Sequence, residues 1–475
     1  MPTRRTVMKA GGAVLLPAAA YATSALAAAL PNERGPKPVR AEAPEPFTVR
    51  MPIPPTLKPV ARTSTTDYYT MTARRASAQI LHGAATEVYG YNGQFPGPTI
   101  RATAGRRVVI AQTNQLDMDT AVHLHGGHTP PASDGFPLDV IAPGATRIYE
   151  YPNRQQATTL WYHDHAHHME SEHVYRGLHG FYLIEDPAEA ALGLPAGEYD
   201  VPIMLRDARF DEDGSLHFEA EDFQKRTTIL TNGRTQPYFP VAARRYRFRL
   251  LNGANLRSFV LRLGAGEEVA QIGTDGGLLG APVPTREIKL SPGERADVVL
   301  DFTGRPAGTQ VILADDNAGP VLRFDVGGPA YDASRVPAVL RPLPPLGEPD
   351  VVRTFHLGID PQDFTFKING KAFDPNRVDT TIRRGDTEVW EVTNADTFTI
   401  PHNFHLHLVQ FRVLSRNGRP PAPAEAGWKD TVPLQPGETV RLQATFAGPA
   451  GRYVYHCHLI DHSSHAMMAT MEIVD

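Results

Sequence analysis

Apolar and polar residues alternate along most of this chain, and segments with helical periodicity are few and weak. A clear example is Tyr246-Arg247-Phe248-Arg249-Leu250, in which every second side chain is apolar. This period of two is typical of a strand with one face buried and the other in water. The pattern therefore predicts an all-β protein whose antiparallel strands are joined by short turns.

The strand pattern repeats three times along the chain. Asn-Gly pairs, which favour tight turns, begin at positions 92, 232 and 369 and are therefore spaced 140 and 137 residues apart. Each pair is followed by strand segments and then by another asparagine, at positions 114, 252 and 394. Three copies in the same order predict three similar β-sandwich domains, each of about 140 residues, which is an ordinary domain size.

Shifts in composition place the boundaries of these units. The predicted division is a signal segment at 1–30, a proline-rich extended lead-in at 31–60, a first domain at 61–186, a second domain with a linker at 187–345, and a third domain at 346–475. The linker is recognised by the prolines that accumulate in residues 328–350.

The N-terminus has the features of an export signal. Arg4-Arg5 lies just before an alanine-rich apolar stretch that runs from Ala10 to Leu30. Glycine and proline interrupt this stretch, which is too short and too broken for a membrane anchor. We therefore expect export by the twin-arginine route to the periplasm or the exterior, with no membrane span in the mature chain.

Charge and cysteine content exclude several classes of protein. Charged residues make up 21% of the chain and the net charge is −5, without the clustered basic excess that nucleic-acid binding requires. Cys457 is the single cysteine, so an internal disulfide framework is excluded. A lone cysteine is more often a small buried apolar residue, but the neighbours of Cys457 indicate a different role.

Histidines occur in four clusters. These are His123-Leu-His125, His163-Asp-His165, His402-x-x-His405-x-His407 and His456-Cys457-His458-x-x-x-His462-x-x-x-x-Met467. Residues i and i+2 of a strand share a face, so each His-x-His pair can aim two imidazoles to one side. Cys457 would point away from the two histidines beside it, and one short segment could then join two different metal sites.

A cysteine with two histidines and a weak axial methionine is the ligand set of a blue-copper electron-transfer site. Here that set is His402, Cys457, His462 and Met467, and the eight remaining imidazoles would hold further copper where the first and third domains meet. A single His-x-His pair is usually an ordinary surface or hydrogen-bonded pair, so the prediction depends on the four clusters together. No ligand role is assigned to the nearby His128, His167, His168, His173, His179 and His465.

These motifs resemble the multicopper oxidase family over roughly residues 45–475, and within it the three-domain bacterial spore-coat laccases and bilirubin oxidases. The segments that carry the resemblance are His123–Gly127, Ser133–Gly135, Tyr151–Arg154, Leu160–His165, Tyr175–Gly177, Gly427–Thr431 and Gly451–Met468. The resemblance implies three cupredoxin-like Greek-key β-sandwich domains, of which the middle one binds no copper.

The resemblance also implies four copper ions and distributes the candidate ligands among them. It assigns type 1 copper to His402, Cys457 and His462 with Met467 axial, type 2 copper to His123 and His405, one type 3 copper to His125, His163 and His458, and the other to His165, His407 and His456. Copper at these positions would take single electrons from a phenolic, aromatic-amine or metal-ion donor and reduce O₂ to water, in a protein that we expect to be a monomer.

Three other functions are compatible with parts of this pattern. A cuprous-ion oxidase used in copper tolerance usually carries a methionine-rich segment, and here only Met467, Met468 and Met471 cluster. A non-enzymatic exported protein could keep the cupredoxin fold, although all the ligand positions are filled in this chain. Copper nitrite reduction fits poorly, because the additional His-x-His pairs are typical of oxygen reduction. The sequence does not identify the natural electron donor.

Asp134 is the candidate acid that supplies protons for oxygen reduction, and with Cys457 it completes the predicted catalytic residues. It lies in the loop after the first His-x-His pair, and the resemblance points to it. The alternative is that Asp134 only stabilises the Ser133–Gly135 turn. Asp164, between two candidate ligands, should point to the opposite face and either serve packing or support the ligands from behind.

The chain departs from the family pattern at two positions. Asn403 follows His402 where the family often has proline, which leaves the shape of that loop open. Ser463 follows His462 where many relatives carry an acid, and Asp461 lies one residue away from that position. The proton path on this side of the cluster is therefore not predicted.

Overall fold

The computed structural model describes residues 41–475. The predicted signal segment and the first part of the lead-in lie outside the described residues. Residues 41–60 run as an irregular segment held by isolated bridges, for example Thr56 to Thr99 and Arg50 to Tyr238. The lead-in is thus attached to strands that belong to two different sandwiches.

The first sandwich consists of nine strands and one α-helix within the described residues. The strands are β1 (Ala61–Arg62), β2 (Thr66–Ala78), β3 (Thr86–Tyr91), β4 (Gly97–Thr103), β5 (Arg107–Asn114), β6 (Val122–His125), β7 (Thr146–Tyr151), β8 (Thr158–Asp164) and β9 (His179–Glu185). One sheet has the order β1-β2-β5-β7 with β3 paired to β2, and the other has the order β4-β9-β8-β6. Helix α1 (Glu170–Arg176) connects β8 to β9.

The second sandwich is built from a larger and a smaller sheet. Its strands are β10 (Asp200–Ala208), β11 (Thr228–Thr231), β12 (Arg234–Thr235), β13 (Tyr238–Ala243), β14 (Arg245–Asn252), β15 (Phe259–Leu263), β16 (Val269–Thr274), β17 (Gly277–Thr285), β18 (Ile288–Leu290), β19 (Arg295–Asp301), β20 (Gln310–Asp315) and β21 (Gly319–Pro329). The sheet orders are β12-β11-β10-β14-β19-β16-β17 and β13-β21-β20-β15-β18. Residues 330–350, where the linker is predicted, contain no regular strand.

The third sandwich again has two sheets. Its strands are β22 (Val351–Ile359), β23 (Phe366–Ile368), β24 (Thr380–Arg383), β25 (Thr387–Asn394), β26 (His402–Leu406), β27 (Phe411–Arg416), β28 (Trp428–Lys429), β29 (Thr431–Leu434), β30 (Thr439–Thr445), β31 (Gly451–His456) and β32 (Met468–Val474). The sheet orders are β23-β22-β25-β30-β27-β28 and β24-β32-β31-β26-β29. Helix α2 (Ile460–Ser464) lies between β31 and β32.

The predicted repeat is visible in three equivalent turns. Asn92, Asn232 and Asn369 all have positive φ angles, of 53°, 47° and 50°, as tight Asn-Gly turns require. Each side-chain oxygen accepts a hydrogen bond from the backbone of an earlier strand, at distances of 2.9, 2.8 and 2.8 Å. The all-β prediction and the prediction of three similar sandwiches are therefore confirmed.

The prediction of purely antiparallel sheets is wrong. In each sandwich the first long strand pairs in parallel with a later one, as β2 does with β5, β10 with β14 and β22 with β25. Parallel neighbours require a connection that crosses between the sheets instead of a hairpin. Alternation within a single strand carries no information about that crossing.

Each sandwich encloses its own apolar core. Tyr162, Phe248 and Trp390 are examples of fully buried residues in the first, second and third cores. Within residues 41–475, no helix has the length and apolar character needed to cross a lipid bilayer.

Candidate metal centres

Four strands bring the histidine clusters together where the first and third sandwiches meet. Antiparallel pairing of β6 with β8 places His123 opposite His163. Antiparallel pairing of β26 with β31 places His405 opposite His456. The ten histidines of the candidate ligand set are all buried, with exposed fractions of 2% or less. The four clusters, which are far apart in the sequence, therefore converge in one buried region.

Three side chains form a compact site at one side of this region. The Nδ1 atoms of His402 and His462 are 3.1 Å apart, and the Cys457 Sγ lies 3.8 Å and 3.6 Å from them. Burial raises the pKa of the Cys457 thiol, but the two imidazoles more than offset this and lower the pKa to about 6. These residues fit a copper ion that prefers two imidazoles and a thiolate.

Met467 is buried in the same core cluster as Cys457. Its carbonyl accepts a hydrogen bond from the Cys457 N–H at 3.0 Å, and its own N–H donates to the His462 carbonyl at 3.0 Å. Its backbone is therefore tied to two of the three residues of the site. Met468, by contrast, begins β32 and lies opposite His456.

The eight remaining histidines face one another in a second cluster. The Nε2 atoms of His123 and His405 are 3.4 Å apart. The Nε2 atom of His456 lies 3.4 Å from that of His165 and 3.2 Å from that of His407. The ring centroids of His125 and His458 are 4.6 Å apart. The eight imidazoles therefore lie within reach of one another in one buried cluster, and their division among type 2 and type 3 sites stays a prediction.

Hydrogen bonds orient the imidazoles of this cluster. The Nδ1 atoms of His123, His163, His405 and His456 lie 2.6 to 3.0 Å from backbone carbonyl oxygens. A carbonyl oxygen can only accept, so each Nδ1 must donate, and each Nε2 keeps its lone pair. Within the described residues, neither ring nitrogen of His458 has a hydrogen-bond partner. Lone pairs directed at one another in a buried cavity fit a metal-binding cluster.

Burial also sets the protonation of these ligands. It is the largest cause that lowers the pKa of every imidazole in the cluster, and for His163 and His456 the values are about 3 and about 4. For all of them except His456, repulsion from neighbouring imidazoles lowers the pKa further. Neutral imidazole is the form that binds copper, and these imidazoles are already neutral in the metal-free protein.

Asp134 contacts two candidate ligands. One carboxylate oxygen accepts from the His407 Nδ1 at 2.8 Å, and the Asp134 carbonyl accepts from the His123 Nδ1 at 2.6 Å. The other carboxylate oxygen accepts from the Thr129 hydroxyl at 3.1 Å. Burial raises the pKa of Asp134 to about 8. The carboxylate therefore contacts the histidine cluster as well as its own loop.

Asp164 lies as expected for a residue that serves packing. Its carboxylate accepts from the backbone N–H groups of Ala121 and Ala166 at 3.0 Å, and from the His173 Nδ1 at 3.1 Å. None of these partners is a candidate metal ligand.

A buried ion-pair network behind the cluster was not predicted from the sequence. The Asp430 carboxylate accepts from the His125 Nε2 at 2.9 Å and from both terminal nitrogens of Arg295 at 2.7 and 2.5 Å. Lys429 bridges Asp275 and Glu294, each at 2.8 Å. The segment containing Lys429 and Asp430 contributes to the family resemblance, but no sequence pattern links it to Arg295 of the second sandwich.

We expect Arg295→Met to lower the free energy of unfolding by about 3–5 kcal/mol, because it leaves the Asp430 carboxylate buried without its cation. Urea unfolding of the copper-free protein, followed by tryptophan fluorescence, measures the loss. Arg262→Met is the matched control, since the pairs of Arg262 with Asp316 and Glu287 are exposed and should contribute less than about 1 kcal/mol. Equal losses in the two variants would show that the buried network has no special role.

The structure resolves the local geometry at the two departures from the family pattern. Asn403 continues β26 opposite Pro433, and its amide donates to the Ser291 hydroxyl and the Pro292 carbonyl at 3.0 Å. The Ser463 hydroxyl donates at 2.8 Å to Glu170, a buried acid on α1. The second carboxyl oxygen of Glu170 lies 3.8 Å from the His165 Nε2. A carboxyl group thus lies beside the cluster, although it comes from α1 and not from position 463.

Comparison with known sequences adds an independent observation. Profiles of the family described as multicopper oxidase match residues 72–189 and 345–475. The chain is 36% identical to a laccase of Bacillus subtilis, in an alignment that covers 91% of this chain and 99% of the relative. It is 37% identical to a bilirubin oxidase of Albifimbria verrucaria, in an alignment that covers 89% of this chain and 80% of the relative.

Solved structures show the same similarity in three dimensions. A crystal structure of a laccase from Pediococcus acidilactici superposes with a TM-score of 0.85 at 33% sequence identity, covering 91% of this chain and 95% of that one. A multicopper oxidase from Aquifex aeolicus superposes with a TM-score of 0.80 at 29% identity, covering 90% and 99% of the two chains. The similarity extends over all three sandwiches.

Proposed function

The chain belongs to the multicopper oxidase family, and we propose that its two histidine-rich centres make it a four-copper, laccase-like enzyme. It is a copper oxidoreductase that oxidises a small-molecule donor and uses O₂ as the acceptor. The proposal adds a definite ligand set: a type 1 site at His402, Cys457, His462 and Met467, a type 2 site at His123 and His405, and type 3 sites at His125, His163 and His458 and at His165, His407 and His456.

The single observation that carries this proposal is the position of Cys457 between the two centres. Its sulfur belongs to the compact site with His402 and His462. The residues on either side of it, His456 and His458, belong to the eight-histidine cluster, where the ring of His458 lies 5.4 Å from that of His163. A few covalent bonds therefore connect the two centres, and this connection supports electron transfer between them.

Copper held by these histidines and Cys457 would supply the one-electron redox chemistry that donor oxidation and the four-electron reduction of O₂ to two waters require. The protein orients the ligands through carbonyl and carboxylate acceptors, and it buries the cluster away from bulk water. Asp134 holds the His407 Nδ1, and we propose that it also supplies protons for oxygen reduction.

Cellular location and oligomeric state belong to the proposal as well. The twin-arginine pattern at Arg4-Arg5 supports export to the periplasm or the exterior, although this segment lies outside the described residues. We propose a monomer, because the candidate ligands of both centres come from a single chain and are all buried within it.

One assay tests the function and narrows the class of donor. Copper-loaded protein is incubated under air with a phenol, a bulky organic dye, bilirubin or Cu(I), and O₂ consumption is recorded. We expect turnover of the organic donors, with one O₂ consumed for every four electrons delivered. Turnover of Cu(I) alone would replace the proposed function with that of a cuprous-ion oxidase.

Replacing Met467 with leucine should raise the reduction potential of the type 1 copper while the blue colour remains. A thioether sulfur is a weak donor that favours Cu(II), and leucine cannot provide it. The two side chains have similar volume and polarity, so the stability should change by less than about 1.5 kcal/mol. Redox titration followed at the blue absorption band measures the potential.

Met468→Leu and Met471→Leu are the matched controls. Both residues are buried on β32, opposite His456 and Tyr453, and neither is predicted to be a ligand. Their potentials should equal that of the unmodified protein. A raised potential in Met468→Leu with no change in Met467→Leu would mean that the axial ligand has been assigned to the wrong methionine.

A further inference from the structure

A cavity of about 750 Å³ lies where the first and third sandwiches meet. Arg154 and Gln155 line it from the first sandwich, and Leu408 and Trp428 line it from the third. Of the described residues that line this cavity, none is a candidate metal ligand. Sites for small molecules usually enclose about 300–1,000 Å³. The cavity is therefore large enough for a ligand that carries a ring, and it is separate from both candidate copper centres.

The charged side chains that line the cavity are both arginines. Arg154 and Arg384 are exposed and lie at its mouth, and no carboxylate is found among the described residues of its lining. Arg384 is already paired with the Asp475 carboxylate. Arg154 has no ion pair and no side-chain hydrogen bond within residues 41–475. The Arg154 guanidinium group is therefore available to an anion that enters the cavity.

Trp428 gives the cavity an aromatic wall with positive charge behind it. The half-buried indole lies opposite Arg412 in the pairing of β27 with β28, and the guanidinium carbon of Arg412 is 5.8 Å from the centroid of the indole ring. In the part of the chain that the structure describes, Arg412 has no carboxylate partner, and its Nε is buried without a hydrogen bond. A flat ring can pack on such a wall, and a negative charge is more favourable beside it than a positive one.

His128 brings an unused polar atom to the same cavity. Its Nε2 is buried and has no hydrogen-bond partner among the described residues. Its backbone N–H donates to the Gln155 Oε1 at 2.7 Å, and the Gln155 Nε2 donates to the Gly126 carbonyl at 2.8 Å, so this wall is held in place. A buried nitrogen without a partner costs free energy. A ligand that accepts a hydrogen bond from this nitrogen is therefore favoured.

Apolar side chains make up much of the remaining lining, namely Leu408, Val409, Ala447 and Pro449. Such a surface binds the apolar part of a ligand because contact removes it from water. An inorganic anion has no apolar part and would leave this surface and the indole uncovered. A cationic ligand would be repelled by Arg154. The lining therefore fits an organic anion with an aromatic ring better than either of these.

We propose that this cavity is a binding site for an aromatic carboxylate, whose carboxylate group is held by Arg154 and by the His128 Nε2–H while its ring packs on Trp428. Cyclohexanecarboxylate carries the same charge but has no flat ring, and an aromatic ammonium ion has the ring with the wrong charge. The inference goes beyond the proposed function and does not depend on it, because copper takes no part in this site.

Calorimetry with the copper-loaded protein tests the site, with benzoate, cyclohexanecarboxylate and benzylammonium as probes. We expect benzoate to bind most tightly, and its Kd to rise about tenfold in Arg154→Gln, which removes a charge-assisted hydrogen bond. Arg154 is exposed and bonds to no described side chain, so the variant should fold normally. Arg383→Gln is the matched control, because it removes an exposed charge next to Arg384 that does not line the cavity, and it should leave the Kd unchanged.

A second variant tests the aromatic wall. Trp428→Leu should abolish the preference for benzoate over cyclohexanecarboxylate, since leucine offers no flat surface. A carboxylate can also bind copper, but Arg154→Gln leaves every candidate copper ligand intact. Equal benzoate affinity in Arg154→Gln and the unmodified protein would therefore place the benzoate elsewhere and overturn the inference. Equal losses in Arg154→Gln and Arg383→Gln would overturn it too, because they would reflect only the overall charge. A protein that oxidises no donor and still binds benzoate through Arg154 would refute the proposed function alone.

Discussion

Replacing Cys457 with serine should abolish both the intense blue absorption and the oxidase activity. The blue band requires a copper–thiolate bond, which a hydroxyl group cannot replace, and Cys457 is the only cysteine in the chain. The same substitution removes the sulfur from the link between the two centres. Absorption spectra and O₂ consumption of the copper-loaded variant measure the two losses.

The control for Cys457→Ser is the copper content of the eight-histidine cluster. Its ligands do not include the thiol, so the variant should retain copper there and lose it only from the compact site. Met468→Leu alters a buried sulfur residue that lies opposite His456, and it should keep both the colour and the activity. A Cys457→Ser protein that stays blue would show that the type 1 site has been placed wrongly.

Asp134→Asn should slow turnover by about 10²–10⁴-fold, the usual contribution of a general acid, while copper content and the blue band persist. Asparagine is nearly the same shape, and its oxygen can still accept from the His407 Nδ1 while its amide faces Thr129. The substitution therefore keeps the ligand oriented and removes only the exchangeable carboxyl proton. Turnover numbers per bound copper measure the effect.

Two further variants distinguish proton supply from ligand positioning. Asp134→Ala also removes the acceptor for His407 and should lose copper as well as activity. Asp164→Asn changes another buried carboxylate, one that contacts His173 instead of a candidate ligand, and its turnover per copper should be close to normal. Near-normal turnover in Asp134→Asn would assign Asp134 to orientation of His407 alone.

The sequence predicted the features that depend on only a few neighbouring residues, namely the turns, the strand faces and the short ligand motifs. The turn at Asn92-Gly93 and its two repeats could be found because a positive φ angle demands particular residue types. The pairing of His123 with His125 on one side of a strand follows from the period of two. The candidate copper ligands could be named from the sequence because each cluster is a short motif and copper restricts which residues can bind it. Their division among individual copper ions stays a prediction.

The residues that contact the candidate ligands could not be predicted from the sequence, because their partners lie far away along the chain. The hydrogen bond between Ser463 and Glu170 joins residues 293 positions apart. Arg295 reaches Asp430 from another sandwich, and Glu221 reaches His462 in the same way. Because no acid follows His462, the sequence left the proton path on this side unpredicted, whereas the fold places the Glu170 carboxyl group of α1 beside the cluster. Contacts of this kind, between residues of different elements, can be identified only from the packed structure.

Copper anomalous diffraction from crystals of the loaded protein tests the central assignment most directly. We expect four peaks in each chain: one among His402, Cys457 and His462, and three enclosed by the eight remaining imidazoles. A map without a peak beside the Cys457 sulfur, or with only one peak among the eight imidazoles, would contradict the four-copper, two-centre account.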